Sequence, residues 1–388
     1  MSSTDVHLGQ PSVLIAITAC SLVVLGLTMI LSASSVSSFA QYGSSFLFFK
    51  RQLIWAVVGI ACFAVLARLD YKRLKGLGYP AFLISVILLA AVLVPGVGIV
   101  AGGSARWIGL GPFSFQPSEV AKLALILFTS EVFARKQERS LSVLAHTAVP
   151  LLPALGILGA LVMLQPDLGT SLLLGAIALG LLFIAGAPLV YLVLLSAGGL
   201  AVAAVAALAE DYRRARILAF LDPWKDPLNT GYQTIQSLIA LGSGGWLGVG
   251  LGASRQKWMY IPNAHTDFIF AILGEEMGLL GTLAVLGTFS FLTYLGVQTA
   301  RRAPDRFGML LASGITIWIG VQALVNMGAV TAALPITGVP LPLVSFGGTS
   351  LVMSLAAMGI LTNIATQARR GRPTSDPTGA GSWTGRAR

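Results

Sequence analysis

Charge is what this sequence has least of. Lysine, arginine, aspartate and glutamate make up 10% of the 388 residues, against roughly 25% in a soluble globular domain. That shortage excludes a soluble enzyme and a disordered chain. Cysteine is nearly absent: Cys20 and Cys62 each lie in an apolar run, which excludes a disulfide scaffold. No short-period repeat is present, so a collagen-like fibre and a repeat array are also excluded. Acid is scarcer than base, 15 residues against 25. The basic residues sit in short blocks between apolar runs, the footprint of membrane topology rather than of a DNA-binding face, and no nucleic-acid partner is expected.

What is abundant is apolar: 55% of the residues are hydrophobic. A bilayer core needs about 20 apolar residues per crossing helix. Ten such runs occur, at roughly 12–32, 47–67, 79–97, 119–135, 147–164, 171–186, 188–208, 267–299, 308–333 and 346–367. The expected fold is therefore an all-α polytopic membrane protein of ten transmembrane helices. A long extracytoplasmic loop, 209–266, separates the seventh from the eighth. The eighth run is too long for one plain span, and Glu275 and Glu276 in its first turns predict a protein-lined cavity rather than lipid.

Charge sets the sidedness. With the N-terminus inside, the cytoplasmic segments hold 15 of the 25 basic residues, among them Arg68, Lys72, Arg73, Lys136, Arg139, Arg301 and Arg302. The short outer loops and helix mouths hold Lys50, Arg51, Arg106 and Lys122. Both termini are predicted to be cytoplasmic: residues 1–11 as a short N-terminal segment, 12–368 as the membrane domain and 369–388 as a disordered basic tail. Ser38-Phe39-Ala40 is passable as a signal cleavage site, but no Lys or Arg precedes the first run, and a retained helix is favoured.

Ionisable groups inside spans are costly and mark function by default. Here they cluster at the outer mouths. Ala105-Arg106-Trp107-Ile108 precedes Gln116-Pro117-Ser118-Glu119, where Pro117 starts a helix with Glu119 in its first turn. Glu119 and Lys122, spaced i, i+3, share a face; they read either as a capping ion pair or as part of a substrate site. Gln165-Pro166-Asp167-Leu168-Gly169-Thr170 reads as a tight reversal. Tyr232–Ile239 alternates at helical spacing, as for a helix on the membrane surface or over a cavity. The glycines that follow, Gly242 to Gly252, lack the Gly-Lys-Ser/Thr of a P-loop. They mark flexible or closely packed backbone. Asp267, beside Phe268-Ile269-Phe270, is either an N-cap or a general base whose pKa is raised at a low-dielectric border. His265 and Asp267 alone are a weak metal signal. Pro335–Ser350 reads as a stiff re-entrant loop. Ser345 has no nucleophile-elbow context, which excludes serine hydrolase chemistry.

In this order, Ala105-Arg106-Trp107-Ile108, Gln165–Thr170, Ala264–Phe270 through Glu275-Glu276, and Gly338–Pro342 through Gly347-Gly348 resemble the SEDS family (shape, elongation, division and sporulation), the ten-span peptidoglycan polymerases typified by FtsW and RodA. The resemblance covers almost all of residues 10–368. The stretches 233–246 and 260–267 look more like the division branch than the elongation branch, although Asn263 departs from the glutamate often found there. The resemblance implies polymerisation of lipid II, an undecaprenyl-diphosphate-linked disaccharide-pentapeptide, on the outer face of the bacterial cytoplasmic membrane. It implies a septal location for the division branch. It makes Asp267 the catalytic aspartate and Arg106, Glu119 and Lys122 outer-cavity residues. Lys257 and a divalent cation (Mg or Mn) are further candidates for the leaving diphosphate. Gln116, Gln236, His265, Thr266 and Ser345 complete the candidate substrate contacts. The implied partners are membrane lipid, a class B penicillin-binding protein and other division proteins.

Three other readings compete: an elongation polymerase, a lipid II flippase and a non-catalytic scaffold. A flippase needs a polar path to both faces. Glu131 is the main buried charge near an inner helix end, which argues against one.

Overall fold

A computed structural model of the chain describes residues 10–101, 104–111, 113–135, 144–209 and 211–370. The expectations for residues 1–9, Gly102-Gly103, Lys136, Arg139 and the tail from 371 onward lie outside the described residues.

Each of the ten apolar runs falls on a helix. These are α1 (Pro11–Tyr42), α2 (Leu47–Arg68), α3 (Gly78–Val92), α4 (Pro117–Ala134), α5 (Leu144–Met163), α6 (Leu168–Ala185), α7 (Leu189–Leu208), α10 (Ile269–Arg301), α11 (Arg306–Val330) and α12 (Gly348–Arg370). By length and composition, seven of the described helices suffice to cross a membrane: α1, α2, α6, α7, α10, α11 and α12. The segment expected as one long loop contains α8 (Asp211–Leu221) and α9 (Tyr232–Gly244). Helix α9 buries Thr234, Ile235, Ser237 and Ala240, and Ser237 Oγ donates to the Val330 carbonyl at 2.6 Å. It therefore packs on protein.

The all-α expectation is corrected between α3 and α4. There β1 (Gly98–Ala101), β2 (Ser104–Leu110) and β3 (Phe113–Phe115) form an antiparallel sheet in the order β1-β2-β3. Trp107 pairs with Ile99 and Ile108 with Phe115. Branched and aromatic side chains suit such a pleated surface.

Polar side chains gather at the two ends of the bundle. At one end the Tyr71 hydroxyl donates to Asp305 at 3.1 Å, and the Tyr71 N–H donates to Asn363 at 3.1 Å. Glu131 accepts the Gly78 N–H at 2.9 Å and pairs with Arg135. These bonds join the end of α2, the start of α3, the far half of α4, the start of α11 and the end of α12. At the other end Gln52 holds the loop before α12, donating to the Ser345 carbonyl and accepting the Gly347 N–H. Lipid offers no hydrophobic gain on helix association, so close packing and such bonds carry the assembly.

Helix α10 is not continuous. Gly278 has φ 67° and ψ −166°, which breaks it one residue past Met277. The freed backbone groups need partners away from water, and the glycine-rich segment supplies them. Leu279 N–H donates to the Gly245 carbonyl at 2.9 Å, and Val249 and Gly250 N–H donate to the carbonyls of Glu275 and Glu276 at 3.0 and 3.1 Å. The glycines are thus closely packed backbone. A Cβ on Gly278 would lie 2.4 Å from Gly248 N and 2.6 Å from Trp246. With the left-handed φ alone costing about 1–3 kcal/mol for another residue, Gly278→Ala is expected to lower the melting temperature in detergent. Melting equal to wild type would show that the break tolerates a side chain.

Glu275 and Glu276 are both 1% exposed and organise the loop that follows α9. Glu275 accepts from Ser254 Oγ at 2.5 Å and from Arg255 and Gln256 N–H at 3.0 and 3.3 Å. Glu276 accepts from Ser32 Oγ on α1 at 2.5 Å. The protein-lined surroundings expected for this pair are the folded loop itself.

Candidate active site

At the end of the bundle that carries the sheet, four segments converge on the start of α10. The first is the turn at Gln165-Pro166-Asp167. Asp167 caps α6, accepting the Thr170 N–H at 3.0 Å and the Thr170 hydroxyl at 2.8 Å. Arg106, on β2, donates from Nε to the Gln165 carbonyl at 3.0 Å and from Nη2 to the Pro166 carbonyl at 2.6 Å. Both acceptors are neutral, so Arg106 keeps its full charge, and a guanidinium has five N–H donors. The second segment is α8, from which Arg216 reaches the Ile336 carbonyl at 3.5 Å. The third is the loop 335–347. The fourth is the run of turns, 251–268, that leads into α10.

Asp267 sits where these meet. It is not the N-cap: Phe268 holds that position without a side-chain cap. Among the described residues none donates a hydrogen bond to the Asp267 carboxylate. Gly338 faces it with no side chain, and a Cβ there would lie 3.6 Å from Asp267 Oδ2. Burial pushes the Asp267 carboxyl up to about 6. The charge of Arg216 opposes that rise, the charge of Asp167 adds to it, and Arg106 opposes it again. Burial thus outweighs the two arginines and holds this carboxylate above the usual carboxylate range.

The other candidates are placed differently. Lys122 and Glu119 form an ion pair at 2.8 Å, 1% and 2% exposed. Lys122 Nζ also donates to Gln322 at 2.9 Å and lies 5.0 Å from the centroid of the Trp318 ring. Lys257 folds back onto the Gly252 carbonyl, with Nζ 4.0 Å from Glu276. Both lysines, expected to face a diphosphate, are turned inward because buried carboxylates and carbonyls attract them. Ser345 is buried, its hydroxyl accepting the Leu341 N–H at 2.8 Å. Thr266 closes a turn on the Asn263 carbonyl at 2.9 Å. The His265 ring stacks on Phe48 at 4.6 Å and meets Phe346 edge-on at 5.4 Å. Burial pushes its pKa down to about 4, so the ring is neutral. Gln116 caps α4 from the backbone, its N–H donating to Thr349 at 3.1 Å. Gln236 is half-buried on α9.

Residues missed at the sequence level are Gln322 and Asn326; Arg216 stood out there only as one of several basic residues of the long outer segment. Asn326, on α11, donates from Nδ2 to the Asp267 carbonyl at 2.8 Å. No three His, Cys, Asp or Glu side chains come together among the described residues. Of the acids here, Asp167 is the one that would hold a divalent ion, its oxygens being engaged only by Thr170 among the described residues. Magnesium is commonly held by one or two carboxylates plus substrate phosphates and water.

A family model described as "Cell cycle protein", covering FtsW, RodA and SpoVE, matches residues 12–370. The probable peptidoglycan glycosyltransferase FtsW of Geobacter metallireducens is 42% identical, over 91% of this chain and 94% of that one. Stage V sporulation protein E of Bacillus subtilis is 41% identical, over 93% and 98%. Among solved structures, a chain from "Structural coordination of polymerization and crosslinking by a peptidoglycan synthase complex" is 31% identical. Its TM-score is 0.75, with 91% of this chain and 97% of that one covered. The rod shape determining protein RodA of Thermus thermophilus is 28% identical with a TM-score of 0.66, over 92% and 97%. The chain is a multi-helix membrane protein that belongs to the FtsW/RodA/SpoVE family of cell cycle proteins.

Proposed function

We propose that this protein is a peptidoglycan glycosyltransferase that polymerises lipid II into β-1,4-linked glycan on the outer face of the cytoplasmic membrane, both termini lying inside. The observation that carries the reading is the carboxylate of Asp267, which accepts no hydrogen bond among the described residues and lies in the electrostatic field of Asp167, Arg106 and Arg216. Glycosyl transfer from a diphosphate needs a base for the acceptor hydroxyl and positive charge for the leaving group. Asp267 takes the proton of the acceptor sugar 4-hydroxyl as its oxygen attacks the donor anomeric carbon. The bond from that carbon to the diphosphate oxygen breaks, and the polyprenyl diphosphate departs with the electron pair. A single displacement inverts the α-linked donor to a β link.

Arg106 and Arg216 are assigned to the diphosphate, whose oxygens a planar guanidinium fork suits. When bound, Mg or Mn held by Asp167 would add charge neutralisation to the leaving group. Lys122 and Lys257 act through the scaffold. We assign the protein to septal synthesis with a class B penicillin-binding protein. Support comes from relatives named FtsW and SpoVE at 42% and 41% identity, against 28% for the solved RodA.

The direct test is polymerisation of purified lipid II by protein in liposomes with its transpeptidase partner. Wild type makes glycan. Asp267→Ala inserts normally and makes none. Polymer from that variant at the wild-type rate would remove Asp267 from the mechanism.

The raised pKa gives a second expectation. A base must be ionised, and a group titrating at about 6 gains roughly tenfold in its ionised fraction from pH 5 to pH 7. The single-turnover rate is expected to rise by about that factor. His265, already neutral over this range, adds no limb. A flat profile from pH 5 to 7 would contradict the assignment.

A further inference from the structure

Two amides in α11 have no part in the chemistry above, yet they reach the segments that surround Asp267. Asn326 is 2% exposed. Its single Nδ2 donates twice, to the Asp267 carbonyl and to the Val339 carbonyl, each at 2.8 Å. Its Oδ1 is buried with no partner among the described residues. Reversing the amide would set that oxygen against two carbonyl oxygens, so its orientation is fixed by chemistry. One turn earlier, Gln322 accepts from Lys122 Nζ at 2.9 Å and Trp318 Nε1 at 2.7 Å, and donates to the Pro340 carbonyl at 2.8 Å. Trp318, Gln322 and Asn326 are spaced i, i+4, i+8 and lie on one helical face.

We propose that Asn326 is a positioning residue for the base: one amide clamps the backbone of Asp267 to that of Val339, and so fixes the carboxylate against the wall formed by Gly338. The inference rests on the assignment of Asp267 as base. Asp267 lies outside the regular helix, so no hydrogen-bond ladder of α10 fixes its main chain. The opposing wall, residues 337–340, is equally irregular. A rigid helix supplies what both lack, since a base displaced by about 1 Å loses on the order of a hundredfold in rate. The buried ion pair Glu119–Lys122 reaches the same wall through Gln322.

The test is lipid II polymerisation by wild type, Asp267→Ala, Asn326→Ala and Asn326→Asp, the last being isosteric. Asn326→Ala is expected to lower kcat roughly 10–100-fold with KM within about twofold, because the site keeps its anion-binding groups. Asn326→Asp separates positioning from general support. Protonated, its hydroxyl still donates to one carbonyl; ionised, it repels both. Its kcat is therefore expected to fall at alkaline pH, where the wild-type rate is level. Wild-type kcat in the alanine variant would overturn the proposal, as would a wild-type pH profile in the aspartate variant. If the alanine variant does not fold, the aspartate profile decides alone. Activity retained by Asp267→Ala would remove the base assignment instead. An inactive Asp267→Ala beside wild-type Asn326 variants would remove only the clamp.

Discussion

Asp267→Asn is expected to lower the rate of glycan polymerisation by roughly 10²–10⁴-fold, the usual contribution of a general base, while making the protein more stable at neutral pH. The first half follows from chemistry. An amide of the same shape fills the space beside Gly338 and cannot take the hydroxyl proton. The second half follows from the environment. Burial and the charge of Asp167 raise the Asp267 carboxyl to about 6 from 3.8. The folded protein therefore holds this proton more tightly than the unfolded chain, and the group favours folding below about pH 4. That contribution is lost as pH rises toward 6. At pH 7 the ionised carboxylate costs on the order of 3 kcal/mol. Removing the charge relieves this, so the variant is expected to melt higher than wild type at pH 7 and equally at pH 4. Functional sites commonly trade stability for reactivity in this way. Melting curves at the two pH values, beside a turnover assay, check both halves. An inactive variant that is also less stable at pH 7 would mean that Asp267 is a structural group.

The sequence showed the helices and the acid, and it hid the acid's neighbours. Long apolar runs are legible because a bilayer demands them. Even so, the first run appeared to end at residue 32, whereas α1 continues to Tyr42. Residues 33–42 are rich in serine, and hydropathy reads serine as solvent. In the structure Ser34 and Ser38 turn their hydroxyls onto the carbonyls of Ile30 and Ser44, so the helix carries them inside protein. The sheet was missed for a different reason: strands of three to seven residues are too short to show an alternating pattern beside glycines.

Asp267 was visible as a carboxylate at an apolar border. Its neighbours come from elsewhere in the chain. Asn326 is 59 positions away, and Arg216 belongs to a helix that had been read as loop. One signal was available: two amides four residues apart inside an apolar span. A search restricted to ionisable groups in spans passes over Gln322 and Asn326. Glu119 and Lys122 read either as an ion pair or as part of a substrate site; the structure shows the ion pair, and the packing of α4 on α11 adds Gln322 and Trp318 around it.

That ion pair leads to the second large expectation. Lys122→Met is expected to destabilise the protein by roughly 3–5 kcal/mol, the usual loss when one partner of a buried ion pair is removed. Methionine fills much of the same volume, so the effect is electrostatic: Glu119, 2% exposed, loses its cation. Gln322 Oε1 also loses one of two donors and keeps Trp318 Nε1. Removing both charges should undo most of the damage. Glu119→Leu together with Lys122→Met leaves no uncompensated ion, and apolar replacement of a buried pair is often neutral or stabilising. A double-mutant cycle on thermal or denaturant unfolding measures this as a coupling energy, expected to be large for groups in contact. The reading of Lys122 as a diphosphate ligand predicts the reverse. A lysine open to substrate could be removed with little change in melting, and its loss would appear in KM. A wild-type melting curve for Lys122→Met with a raised KM would return Lys122 to the active site; a steep loss of stability, restored in the double variant, assigns it to the strut that holds α4, α11 and the wall beside Asp267 together.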